Sequence, residues 1–176
     1  MIAENEEWVP LVDENGNVTG KALRSTVHNG SRLLHPVVHM HILNMNKDLL
    51  LQKRPLSKLI QPGKWDTAVG GHISSGESPA EALKKEAYEE MGLNYFSAVF
   101  HKIYIWESDV EAELVYLFST SGFQSFHVHS DEIDEARFWN PDEITSSLGK
   151  DIFTPNFEHE FSLLKEMGIL PSTGSA

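Results

Sequence analysis

The sequence predicts a mixed β-sheet covered by helices, an α/β or α+β sandwich. Three observations lead there: short runs of alternating apolar residues, turn residues between them, and a few helical segments interleaved with those runs. WVPLV and VTGKAL flank Asp13-Glu14-Asn15-Gly16-Asn17, so a hairpin is expected over about 8–23. LLHPVVHMHILNM alternates, with Val38, Met40 and Ile42 on one face and His35, Val37, His39 and His41 on the other. Asn46-Lys47-Asp48 turns the chain into LLLQKR, and a further strand is expected at about 66–72. After a helix come two longer strands, FSAVFHKIYIW and AELVYLFST. ARFWN is a short strand, Pro141 opens a small helix, and residues 155–167 form a terminal helix. No repeat or linker interrupts this order, so residues 1–170 read as a single domain and 171–176, PSTGSA, as a flexible tail.

Composition narrows the function classes. The chain of 176 residues has no cysteine, which excludes disulfides, thiolate metal sites and a cysteine nucleophile. No apolar run reaches the roughly 18 residues of a membrane span, and MIAENEEWVP lacks the order of a secretory signal, so a cytoplasmic protein is expected. A net charge of −12 disfavours nucleic-acid polymers as partners. Lys53, Arg54, Lys58 and Lys64 nevertheless cluster in QKRPLSKLIQPGKW. A positive island on an acidic protein suits contacts to the phosphate oxygens of a small anionic substrate.

The central helix carries the chemistry. Ser78-Pro79-Ala80-Glu81 is a capping box with proline at the first helical position, and Met91-Gly92 supplies the stop. Ala80, Leu83, Ala87 and Met91 make one apolar stripe. Glu86 and Glu90 lie one turn apart beside it, with Glu89 adjacent. Like charges at that spacing repel by a few tenths of a kcal/mol, roughly, and the C-terminal dipole end disfavours anions. A solvated acidic face tolerates such penalties. A hard divalent cation removes them, and Mg²⁺ or Mn²⁺ takes such oxygens together with phosphate oxygens.

Gly71, Glu77, Lys85, Glu86, Ala87, Glu89, Glu90, Gly92 and Leu93 match the signature box of the Nudix hydrolases over residues 71–93, except that Lys85 stands where the family has arginine. The resemblance implies a Nudix-type α/β/α sandwich and metal-assisted cleavage of a diphosphate linkage in a small metabolite, such as a nucleoside diphosphate derivative. It implies Mg²⁺ (or Mn²⁺) held by Glu86, Glu90 and the Gly71 carbonyl, with Glu89 sharing the metal or acting as base. Glu111, Glu113 and Glu132 are alternative bases. The family's arginine orients the catalytic glutamates; Lys85 can pair with a carboxylate as a point charge, without that planar fork.

Residues from about 8 to 160 further resemble the isopentenyl-diphosphate isomerase branch, most closely in WVPLVDENGNVTGKALRSTVH and LLLQKRPLSKLIQPGKWDTAVGGHISSGES. Those isomerases hold a metal through three histidines and two glutamates, and the matching positions are His28, His35, His72, Glu111 and Glu113. A second ion at that set would be Zn²⁺ or Mn²⁺. The other histidines considered, His39, His41, His127 and His129, read as surface or satisfied core residues. Tyr104 matches an isomerase tyrosine, but two reacting groups are missing. Gly70 occupies the cysteine position, and Asn156 follows Phe153-Thr154-Pro155 where a tryptophan belongs. Hydrolysis is therefore expected, with isomerase chemistry or a non-catalytic nucleotide or metabolite sensor as the alternatives. Oligomeric state stays open, a homodimer being the common default.

Overall fold

The computed structural model describes residues 6–123, 126–128 and 131–172; His129 and residues 173–176 of the expected tail lie outside them. Among the described residues, nine strands and four helices follow in chain order. The hairpin forms as expected, β1 (Trp8–Val12) against β2 (Val18–Leu23), and leads into a single turn of helix, α1 (Arg24–Val27). The main sheet is built around β3 (Leu34–Leu43), with β4 (Leu49–Lys53), β5 (Trp65–Thr67) and β6 (Val69–His72). Helix α2 (Pro79–Met91) precedes β7 (Val99–Glu107) and β8 (Ala112–Ser121). The chain ends with β9 (Glu135–Trp139), α3 (Pro141–Ser147) and α4 (Pro155–Glu166).

The sheet is mixed: β3 runs parallel to β8 along its whole length and antiparallel to β4 and β6. Its other edge is shared between two partners. Ile42 and Leu43 pair with Leu50 and Leu49 of β4, after which β4 diverges and β6 pairs residues 37–40, setting His39 opposite Gly70. The single strand expected at about 66–72 is for this reason two strands. β5 pairs β4, Ala68 lies between, and β6 pairs β3.

Two buried layers cover the sheet. Val38, Met40 and Ile42 face Leu83, Ala87 and Met91 of α2. On the opposite side, Leu43, Leu49 and Leu51 pack with Trp65, Trp139 and Phe153, and with Phe157 and Phe161 of α4. The result is a helix–sheet–helix sandwich. Helix α2 is set by the expected cap: Ser78 Oγ accepts from the Glu81 amide, Glu81 Oε2 accepts from the Ser78 amide, and Gly92 ends the helix at φ 64°. One detail differs. Ala80 is exposed and Ala82 is buried in its place. The inward pairs are therefore Ala82-Leu83, Glu86-Ala87 and Glu90-Met91, which puts Glu86 and Glu90 on the inward flank rather than the solvated one. Among the described residues, no helix is long and apolar enough to cross a membrane.

Candidate active site

Helix α2 lays its two inward carboxylates against the glycine turn of β6. The Gly70 amide donates to Glu90 Oε2 at 3.0 Å, and Gln52 Nε2 of β4 approaches the same oxygen at 3.4 Å. Glu86 packs directly on the Gly71 α-carbon: a Cβ there would lie 2.5 Å from Glu86 Oε1 and closer still to its Cδ and Cγ. Only glycine fits at 71, for a steric reason rather than a dihedral one. Lys85 Nζ reaches Glu77 Oε2 at 3.4 Å and Glu86 Oε1 at 3.6 Å, and Glu77 Oε2 accepts from the Ser74 amide. The lysine thus links the loop before the helix to Glu86 from a single nitrogen. Glu89 is exposed, and its side chain has no hydrogen-bond partner among the described residues.

Burial pushes the Glu90 carboxyl up to about 8, against the Gly70 hydrogen bond and with repulsion from Glu86 adding to it. Burial also pushes Glu86 up to about 7, opposed by Lys85 and reinforced by Glu89. Two acids this poorly compensated, held in fixed positions, are electrostatically prepared for a cation.

The second donor set converges beside the first. The ring centroids of His28, His35 and His72 lie 5.1–5.3 Å apart, and one ligand nitrogen from each falls within 4.8 Å of the others. His35 Nδ1 donates to the Leu33 carbonyl at 3.0 Å, which leaves its buried Nε2 with a bare lone pair and no partner. His28 Nε2 faces His72 Nε2 at 3.0 Å, while His28 Nδ1 is tied to Glu111 Oε2 at 2.6 Å. Glu113 Oε1 stands 3.9 Å from His35 Nε2. Burial, with the charges of Arg24 and the neighbouring imidazoles, lowers His72 to about 2, and burial lowers His35 as well. Both rings are therefore neutral, the form that ligates metal. An orphaned nitrogen, two nitrogens facing each other and an outer carboxylate make a donor set that fits an ion of the Zn²⁺ or Mn²⁺ type. Burial and the charge of Glu111 push Glu113 up to about 8.

Members of both sets line one open cavity of about 1160 Å³. Gly70, Gly71 and Glu90 border it, as do His28, His72, Glu111 and Glu113, whereas Glu86 and His35 are not among its lining residues. Of the four basic residues read as phosphate contacts, Arg54 and Lys58 border the cavity and Lys53 and Lys64 do not. Lys64 is paired with Asp151 at 2.5 Å, and Lys58 with Glu132 at 2.7 Å. Those partners are distant in the chain, so the basic run alone did not reveal which charges are neutralised. Sequence reasoning also missed the contact of Tyr104 and Asn156. The Tyr104 hydroxyl lies 2.8 Å from Asn156 Oδ1 and 2.6 Å from Glu160 Oε1.

A family model described as the NUDIX domain matches residues 33–160, and the chain belongs to this family of hydrolases. An uncharacterized Nudix hydrolase of Yersinia pestis is 33% identical over 167 residues, covering 93% of this chain and 90% of the relative. The isopentenyl-diphosphate Δ-isomerase of Corynebacterium efficiens is 38% identical over 96 residues, 54% of this chain and 50% of the isomerase. Among solved structures, DR0079 from Deinococcus radiodurans superimposes with a TM-score of 0.76 at 20% identity, covering 89% of this chain and 98% of that one, which speaks for the fold.

Proposed function

We propose that the chain is a divalent-metal-dependent hydrolase cleaving the diphosphate linkage of a small metabolite, a nucleoside diphosphate derivative or a similar compound. The observation that carries this reading is the pair Glu86 and Glu90, locked against Gly71 and Gly70 and pushed up to about 7 and 8. Glu86, Glu90 and the Gly71 carbonyl would hold Mg²⁺ or Mn²⁺, with the exposed Glu89 free to join them or to act as base. When bound, such an ion neutralises phosphate oxygens and lowers the pKa of an attacking water. The remaining work belongs to the chain. The Gly70 amide and Gln52 fix the Glu90 carboxylate, Lys85 pairs with Glu86, and Arg54 and Lys58, which border the cavity paired with Asp66 and Glu132, would turn to phosphate oxygens. His28, His35 and His72, with Glu111 and Glu113 as outer or direct ligands, would hold the second ion.

Isomerase chemistry is disfavoured although the related isomerase shares half its length with this chain. It requires a proton donor and an aromatic face at the two places where this chain has Gly70 and Asn156. The Asn156 amide is instead engaged with Tyr104. The test is a phosphate-release screen of nucleoside diphosphates, their sugar conjugates and prenyl diphosphates with Mg²⁺ or Mn²⁺. Release is expected for at least one class and its loss in Glu90→Gln. Full release by Glu90→Gln would refute the site, and exchange of deuterium from D₂O into isopentenyl diphosphate would favour the isomerase.

A further inference from the structure

Among the described residues, His39 is the cavity-lining histidine that neither metal set uses. It sits at the centre of β3 on the face toward α4, and its Nδ1 lies 2.6 Å from Glu160 Oε1. Glu160 is fully buried and receives three further donors: His41 Nε2 at 2.7 Å, Thr67 Oγ1 at 3.0 Å and the Tyr104 hydroxyl at 2.6 Å. A buried carboxylate surrounded by four donors is held ionised, well below its ordinary range despite burial. The consequence reaches His39. Burial opposes its charge, but the charge and hydrogen bond of Glu160 outweigh burial and raise the imidazole to about 10. Asp66 from β5 and Glu113 from β8 act in the same direction.

This separates His39 from the metal-type histidines. His35 and His72 are held neutral, with a lone pair to offer; His39 is held protonated, with a proton to offer. With Nδ1 committed to Glu160, the donor is Nε2–H. Among the described residues that atom has no hydrogen-bond partner, and it is not one of their sealed, partnerless polar atoms, such as His35 Nε2 and His41 Nδ1. His39 borders the cavity, and its side chain keeps 13% exposure.

Residue 70 decides what Nε2 can meet. Gly70 lies opposite His39 in the β3–β6 ladder, and a Cβ there would stand 3.3 Å from His39 Cδ2 and 3.5 Å from Nε2. A side chain at this position would cover the ring edge that carries the free donor. The same Gly70 binds Glu90 through its amide, so the metal-facing acid and the imidazolium are served by one residue.

We propose that His39 is a substrate-contacting residue, its Nε2–H uncovered by the missing side chain at Gly70 and donating to a phosphate oxygen of a diphosphate bound against Glu86 and Glu90. This rests on the diphosphate-hydrolase reading. The loss of a side chain at residue 70 then has a positive consequence: it opens a cationic donor to the substrate. Glu160 is the positioning residue, fixing the ring through Nδ1 and keeping it protonated.

The test uses the full chain with Mg²⁺ and inorganic pyrophosphate as probe, measured by titration calorimetry, alongside Mg²⁺ binding without pyrophosphate. His39→Gln replaces the charged imidazole donor with a neutral amide. Gly70→Ala keeps the His39–Glu160 pair and the residue 70 amide, and covers Nε2 with a methyl group. Both variants are expected to bind pyrophosphate about tenfold or more weakly, as weakening of a hydrogen bond to a charged group implies, with Mg²⁺ affinity unchanged in His39→Gln. Rescue in His39→Arg but not in His39→Gln supports the contact. If pyrophosphate binds both variants as tightly as the parent, the contact is refuted, even where His39→Gln melts at lower temperature. If the parent itself fails to bind pyrophosphate with Mg²⁺, the diphosphate reading falls and this inference with it.

Discussion

Gly71→Ala is the sharpest probe of the box geometry, because the backbone conformation tolerates alanine and only the contact forbids it. The added Cβ would lie 2.5 Å from Glu86 Oε1 and closer to two of its carbons, where ordinary contacts begin near 3.4 Å. Glu86 must therefore retreat by roughly 1 Å, or β6 must shift against β3 and disturb the 37–40 to 69–72 ladder. Overpacking of this kind costs about 1–3 kcal/mol. Because Glu86 would be driven outward, the cost to metal binding should exceed the cost to folding. The assay pairs Mg²⁺ or Mn²⁺ titration with thermal denaturation in a cycle of Gly71→Ala, Glu86→Ala and the double variant. Gly71→Ala should lower both metal affinity and melting temperature. Adding Glu86→Ala should restore the melting temperature while metal affinity stays low, a coupling expected only of residues in contact. Wild-type metal affinity in Gly71→Ala, or additive effects in the double variant, would refute the packing of Glu86 on residue 71.

Further outcomes follow from the same geometry. Glu86 and Glu90 have folded pKa values of about 7 and 8, above the ordinary 4.5, so their protonated forms favour the metal-free fold. That contribution is complete below pH 4.5 and is lost as pH rises through 7 and 8; protons compete with the cation over the same window. The rise in melting temperature on adding Mg²⁺ should therefore grow between pH 5.5 and 8.5, and a constant difference would contradict the assignment. For the histidine set, His35→Asn or His72→Gln should remove one equivalent of tightly bound Zn²⁺ or Mn²⁺, measured by elemental analysis after dialysis. Mg²⁺ binding should persist in both; undiminished transition-metal content would refute the set. Glu160→Gln leaves the buried imidazoles of His39 and His41 without their anion, so a loss of about 2–4 kcal/mol is expected in urea unfolding. A change within 0.5 kcal/mol, roughly the scale of a surface substitution, would show that the buried network is not as described.

What could be read from sequence was local. The α2 cap, its glycine stop and the recurrence of Glu86 and Glu90 depend on residues within a few turns of each other, where helix periodicity sets the geometry. Alternation in β3 likewise put Val38, Met40 and Ile42 on one face and the histidines on the other; the fold turns the first face toward α2. The resemblance to known families brought His28, His35 and His72 together, although 44 residues separate His28 from His72. Packing alone decided the rest. His39 and His41 read as surface or satisfied core residues, and in the fold both bond one carboxylate. Their partner Glu160, however, lies 121 and 119 residues away on α4, in a segment whose local pattern says only that it is helical. Lys58 and Lys64 looked like free charges until the fold brought Glu132 and Asp151 to them. Short-range spacing is dictated by the backbone, so a sequence displays it; which ionised groups meet, and which imidazole is charged, depends on contacts that exist only once distant elements have packed.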